Sequence, residues 1–125
     1  MTVHKIGHVG IVVNDLAAAK AFFLDFGLEL QGEGLVEGEW VDNVVGLHDV
    51  KASIAMLRTP DGEANIELIQ FYRATGEKEI QRPLANTPGI RHIAWDEIRE
   101  LPIPELNCRF GGACMALKKQ WYHYK

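Results

Sequence analysis

His8, Glu67 and His92 each fall inside an apolar, alternating stretch of this chain. His8 precedes Val9-Gly10-Ile11-Val12-Val13, Glu67 sits between Ile66 and Leu68, and His92 opens His92-Ile93-Ala94-Trp95. Neutral imidazole and carboxylate are donors that suit a divalent ion such as Zn²⁺, Ni²⁺, Co²⁺, Mn²⁺ or Fe²⁺, and an open coordination position lets substrate oxygens bind. Each residue also has a purely structural alternative. His8 alone fits a hydrogen-bonded core histidine, and His92, beside Arg91, fits a surface strand. An unpaired buried carboxylate is costly, so Glu67 requires a partner such as Arg58 or an exposed strand face. His4 and His48 fall in a lead-in and a loop and are read as solvated.

The elements that must position these residues follow from periodicity. Residues 6–13 read as a strand, with Val9, Ile11 and Val13 on one face and His8, Gly10 and Val12 on the other. Asn14 or Asp15 can cap a helix, whose apolar stripe is Leu16, Ala19, Phe23 and Phe26. Gly27 supplies the left-handed residue that ends it, with Leu28 folding back. Residues 28–37, interrupted by Gly32 and Gly34, predict a bent edge strand. Residues 40–47 predict a short helical turn with Trp40, Val44, Val45 and Leu47 turned inward. Residues 50–58 form a strand with Ala52, Ile54 and Met56 on one face and Ser53, Ala55 and Leu57 on the other. Thr59-Pro60-Asp61-Gly62 is a turn, leading into a hairpin partner at 65–72 with Glu67, Ile69 and Phe71 on one face.

A complete strand–helix–strand–strand–strand unit therefore occupies residues 1–72, followed by a polar linker at 73–88 with a helical turn near 77–81. Residues 89–125 begin as an echo of the first unit, since Arg91-His92-Ile93-Ala94 parallels Gly7-His8-Val9-Gly10, which indicates an internal repeat. After Trp95 the echo stops. Pro102 and Pro104 exclude a long helix, and short strands are expected at 106–110, 113–117 and 120–124. The second unit is read as incomplete or altered, for example by a shifted reading frame.

The chain has 125 residues and a formal charge of −4, one domain's worth of sequence with acidic and basic residues interspersed. Without a basic stripe, nucleic acid is not an expected partner. No apolar run reaches the roughly 20 residues that span a bilayer, and no signal-peptide pattern opens the chain, so no membrane partner is expected and the expected location is cytoplasmic. Cys108 and Cys114 match no common zinc spacing and are read as reduced thiols.

Taken together, His8-Val9-Gly10-Ile11-Val12-Val13 with its Asp15 helix, Ile66-Glu67-Leu68-Ile69, and Gly89-Ile90-Arg91-His92-Ile93-Ala94 resemble the vicinal oxygen chelate superfamily. That superfamily includes glyoxalase I, methylmalonyl-CoA epimerase, extradiol dioxygenases and bleomycin-resistance proteins. The resemblance covers residues 4–95 and implies an α+β fold of paired βαβββ modules curled around a metal. By position it implies His8 and Glu67 as the first module's ligands and His92 as the first ligand of the second. The isomerase branch's final glutamate has no counterpart, and Glu105, Cys108 and His123 are candidates by residue type alone.

The resemblance further implies a divalent-metal-dependent lyase, isomerase or dioxygenase acting on a small substrate with adjacent oxygens, with Glu67 also taking part in proton transfer. The alternatives are a metal-free protein of the antibiotic-sequestering kind and an inactive shortened relative. In the binding-protein reading, Trp40, Met56, Phe71 and Trp95 line the groove. A single module exposes its concave face, so a homodimer is expected to cover it.

Overall fold

The computed structural model describes residues 1–75, 86, 88–90, 92–95 and 114–117, with side chains at 1–73, 86, 88–90, 93 and 95. The chain divides into two compact units, Met1–Lys78 and Glu79–Lys125.

In the first unit the element order is β1 (Val9–Val12), α1 (Leu16–Asp25), β2 (Glu29–Glu37), α2 (Glu39–Val45), β3 (His48–Arg58) and β4 (Asn65–Thr75). The strands form one sheet in the order β1-β4-β3-β2. β1 runs parallel to β4, and the other neighbours are antiparallel. This is the expected βαβββ arrangement, with a helical turn inserted before the third strand.

α1 packs on one face of the sheet because the alternation of β1, β3 and β4 puts their apolar residues there. Ile11, Val13, Ala55, Leu57, Ile66 and Leu68 are buried together with Ala19, Phe23 and Leu28. Two side chains satisfy free amides in the first turn of α1. Asp15 accepts from Ala18 N at 3.0 Å, and Gln70 Oε1, reaching across from β4, accepts from Leu16 N at 2.8 Å. At the other end Gly27 adopts φ 107°, where an L side chain is strained. There Leu28 N donates to Phe23 O and Gly27 N to Leu24 O, each at 3.0 Å. These are the paired bonds of a Schellman ending.

The opposite, concave face is closed at one end by α2. Val41, Val50 and Ala52 form a buried cluster there, with Val36, Leu47, Ile69 and Phe71 packed against it. The helix is rotated from the expected arrangement. Val41 is 5% exposed, whereas Trp40 is 62% exposed and Val44 and Val45 are also exposed. The cause is Asp42, whose carboxylate accepts from Asp49 N at 2.9 Å and Val50 N at 2.8 Å at the start of β3. Holding Asp42 and Val41 toward the sheet turns Trp40, a step of about 100° further round the helix, to the outside.

The second unit shows β5 (His92–Trp95) paired in parallel with β6 (Cys114–Leu117). β6 falls on the strand expected at 113–117. The helical turn near 77–81, the strands at 106–110 and 120–124, and Glu105, Cys108 and His123 lie outside the described residues.

Candidate metal site

The β1–β4 ladder brings His8 to Glu67. Gly10 pairs with Glu67 and Val12 with Ile69, so His8, two residues before Gly10, emerges on the same concave face as Glu67. Asn65 Nδ2 donates to the Gly7 carbonyl at 3.1 Å and fastens the approach to β1 onto β4. His8 Nε2 lies 3.6 Å from Glu67 Oε2, with the histidine side chain 50% exposed and the glutamate 21%. The imidazole is open to solvent while the carboxylate is held against the sheet.

At that separation the two groups are beyond ordinary hydrogen-bond range. Donors bound about 2.1 Å from one tetrahedral ion stand about 3.4 Å apart, so the pair's spacing and chemistry both fit joint ligation. Arg58, the other partner the sequence offers for Glu67, instead donates from Nη2 to Gln31 Oε1. Among the described residues no group of three or more His, Cys, Asp or Glu converges on one point. His92 opens β5 in the second unit, and its side chain lies outside those described.

The expected groove residues divide. Met56 pairs with Glu67 across β3 and β4 and is half-buried beside it. Phe71 is drawn into the apolar cluster beneath α2, and Trp40 stands on that helix's exposed side. Trp95 belongs to β5 in the second unit. Gly10, on the face of His8, shares a ladder row with Glu67, Met56 and Gly32. A Cβ at position 10 would meet Ile69 Cδ1 at 3.4 Å, so the glycine keeps the face beside the carboxylate low. A glycine inside a strand, with no turn to explain it, was the available signal.

A βαβββ sheet in the order β1-β4-β3-β2 is the class of fold this chain adopts. Residues 7–101 match the glyoxalase/bleomycin resistance protein/dioxygenase superfamily, and the chain belongs to that superfamily. Among solved structures it is similar to a glyoxalase family protein from Bacillus cereus, at 34% identity with a TM-score of 0.70 over 78% of this chain. The chain spans 65% of the length of that neighbour. Comparison with curated proteins finds no match.

Proposed function

We propose that this chain is a divalent-metal-dependent enzyme acting on a small substrate with adjacent oxygens, by lyase, isomerase or dioxygenase chemistry. The observation that carries the reading is the His8–Glu67 pair, two metal-donor groups at near-ligand spacing on the hollow face. His8 presents Nε2 as a neutral ligand and Glu67 presents Oε2. The second oxygen of Glu67 is then the group that accepts or returns a substrate proton. A bound Zn²⁺, Ni²⁺, Co²⁺, Mn²⁺ or Fe²⁺ supplies Lewis-acid stabilisation of a developing oxyanion. Met56 supplies apolar contact beside the carboxylate.

The same reading includes a homodimer. β1 is an edge of the first unit's sheet, and Val12 within it and Ile6 in the segment before it are exposed. Apolar exposure at an open edge favours pairing with another chain. Light scattering behind size exclusion is expected to give twice the chain mass at micromolar concentration, and a monomer there removes this part of the reading.

Elemental analysis of protein purified without an affinity tag tests the metal assignment. Stoichiometric metal is expected, and His8→Ala and Glu67→Ala are each expected to lose it while keeping the circular dichroism of the wild type. A folded wild type that stays metal-free after incubation with each of the five ions overturns the proposal and favours a metal-free binding protein.

A further inference from the structure

The first unit's described cations outside the lead-in are Lys20, Lys51, Arg58 and Arg73. Three of them meet carboxylates. Lys20 reaches Glu33 at 2.7 Å, Lys51 reaches Glu37 at 3.6 Å and Arg73 Nε reaches Asp49 at 3.0 Å. Arg58 departs from this pattern. Its one hydrogen-bond partner among the described residues is the neutral Gln31 amide, which accepts from Nη2 at 2.5 Å. Glu29, opposite it in the β2–β3 register, makes no ion pair with it.

Arg58 also shares a sheet face with the candidate metal pair. Leu57 is buried under α1, so alternation turns Arg58 to the concave face, as it does Met56. Arg58 pairs with Asn65, making Glu67 its diagonal neighbour across the antiparallel pair, where Cβ atoms stand about 7–8 Å apart or somewhat less. Arg58 is partly exposed, and its bond to Gln31 uses one of its five N–H donors and leaves the others for a ligand. A planar cation held in this way matches a carboxylate through paired N–H···O bonds.

We propose that Arg58 binds a carboxylate of the substrate, a few bonds from the oxygens that reach His8 and Glu67. The substrate class is then a small carboxylic acid bearing a second, chelating pair of oxygens. This rests on the metal reading above, and Arg58 acts in it as a binding residue that fixes orientation.

The test compares two chelators on Co²⁺-loaded protein: acetohydroxamate, and the monohydroxamate of succinate, which adds a distal carboxylate. Cobalt content is measured in every sample, and binding is followed by the cobalt absorption spectrum. Wild type is expected to prefer the carboxylate-bearing probe about tenfold, the size of one charged hydrogen bond. Arg58→Gln is expected to abolish that preference while leaving acetohydroxamate affinity unchanged. Arg58→Lys, which keeps the charge and loses the planar fork, is expected to retain about threefold, and it serves in place of Arg58→Gln should that variant not fold. Stoichiometric cobalt with no preference in wild type, or a preference that survives intact in the variants, overturns this proposal alone. Failure of wild type to take up cobalt overturns the metal reading and this proposal with it.

Discussion

Arg58 directs its guanidinium to Gln31 and leaves Glu67 facing His8. The obvious structural use of a half-buried glutamate, neutralisation by the neighbouring arginine, is therefore not the one the fold makes. A His–Glu pair with the imidazole half exposed contributes about 0–1 kcal/mol. In metal-free protein, His8→Ala and Glu67→Gln should each change unfolding free energy by about 1 kcal/mol or less. With metal present the wild type should melt higher, because a ligand that binds only the native state stabilises it by mass action, and both variants should lose that rise. Thermal melts with and without added Zn²⁺ check this, and an equal rise in all three proteins would separate metal binding from the pair.

Trp40 and Val41 give a second prediction, which runs against their sizes. Within α2, Val41 is buried against the sheet and Trp40 is exposed. Val41→Ala removes two methyl groups' worth of burial and should cost about 1.5–2.5 kcal/mol. Trp40→Ala should stay within about 0.5 kcal/mol, as surface changes do. Urea unfolding of the two variants decides it, and a larger loss at Trp40 would mean the helix is rotated the other way.

These two residues also show where sequence reading stopped. The faces of β1, β3 and β4 were legible because strand alternation has a period of two and each strand carries a clear apolar set. His8, Gly10, Met56 and Glu67 share the face that alternation assigns them. The ends of α1 were legible because Asp15 and Gly27 act locally. The rotation of α2 was not, because a seven-residue helix offers two turns of pattern and its four apolar residues, Trp40, Val41, Val44 and Val45, single out no one face. What fixes it is Asp42 bonding to Asp49 and Val50, a contact between elements that no local spacing encodes. The Arg58–Gln31 bond likewise depends on the register shift between Leu30 and Gly32, which places Gln31 at the bulge.

Asp42→Ala tests that tether directly. The variant leaves two backbone amides without their carboxylate, one of them on Val50, which is buried. Hydrogen bonds to charged groups contribute about 1.5–3 kcal/mol, and an unsatisfied buried donor costs about 1–3, so a loss of about 2–4 kcal/mol is expected. Amide exchange should quicken at Asp49 and Val50 while α1 stays protected, because the contact joins α2 to β3 only. Uniform loss of protection across the sheet would mean the tether supports the whole unit.

The hairpin turn supplies a prediction with a defined pH direction. Asp61 is held below its ordinary carboxylate pKa of 3.8, first by the Thr59 hydroxyl and then by the backbone amide of Glu63. Both groups donate to the ionised form and favour it. A carboxyl whose folded pKa is depressed adds stability above its unfolded pKa and loses it as pH falls through the folded value. Removing the Thr59 donor should therefore bring the Asp61 titration back toward 3.8, and the acid limb of the stability curve below about pH 4 should flatten. Carboxyl-carbon NMR titration of wild type and Thr59→Val reads the first effect, and Tm between about pH 2 and 5 reads the second. Because Asp61 lies fully exposed at the turn, the Tm effect should be small and should shrink further with added salt. An Asp61 titration that does not move in Thr59→Val would show that backbone amides, chiefly that of Glu63, hold the carboxylate.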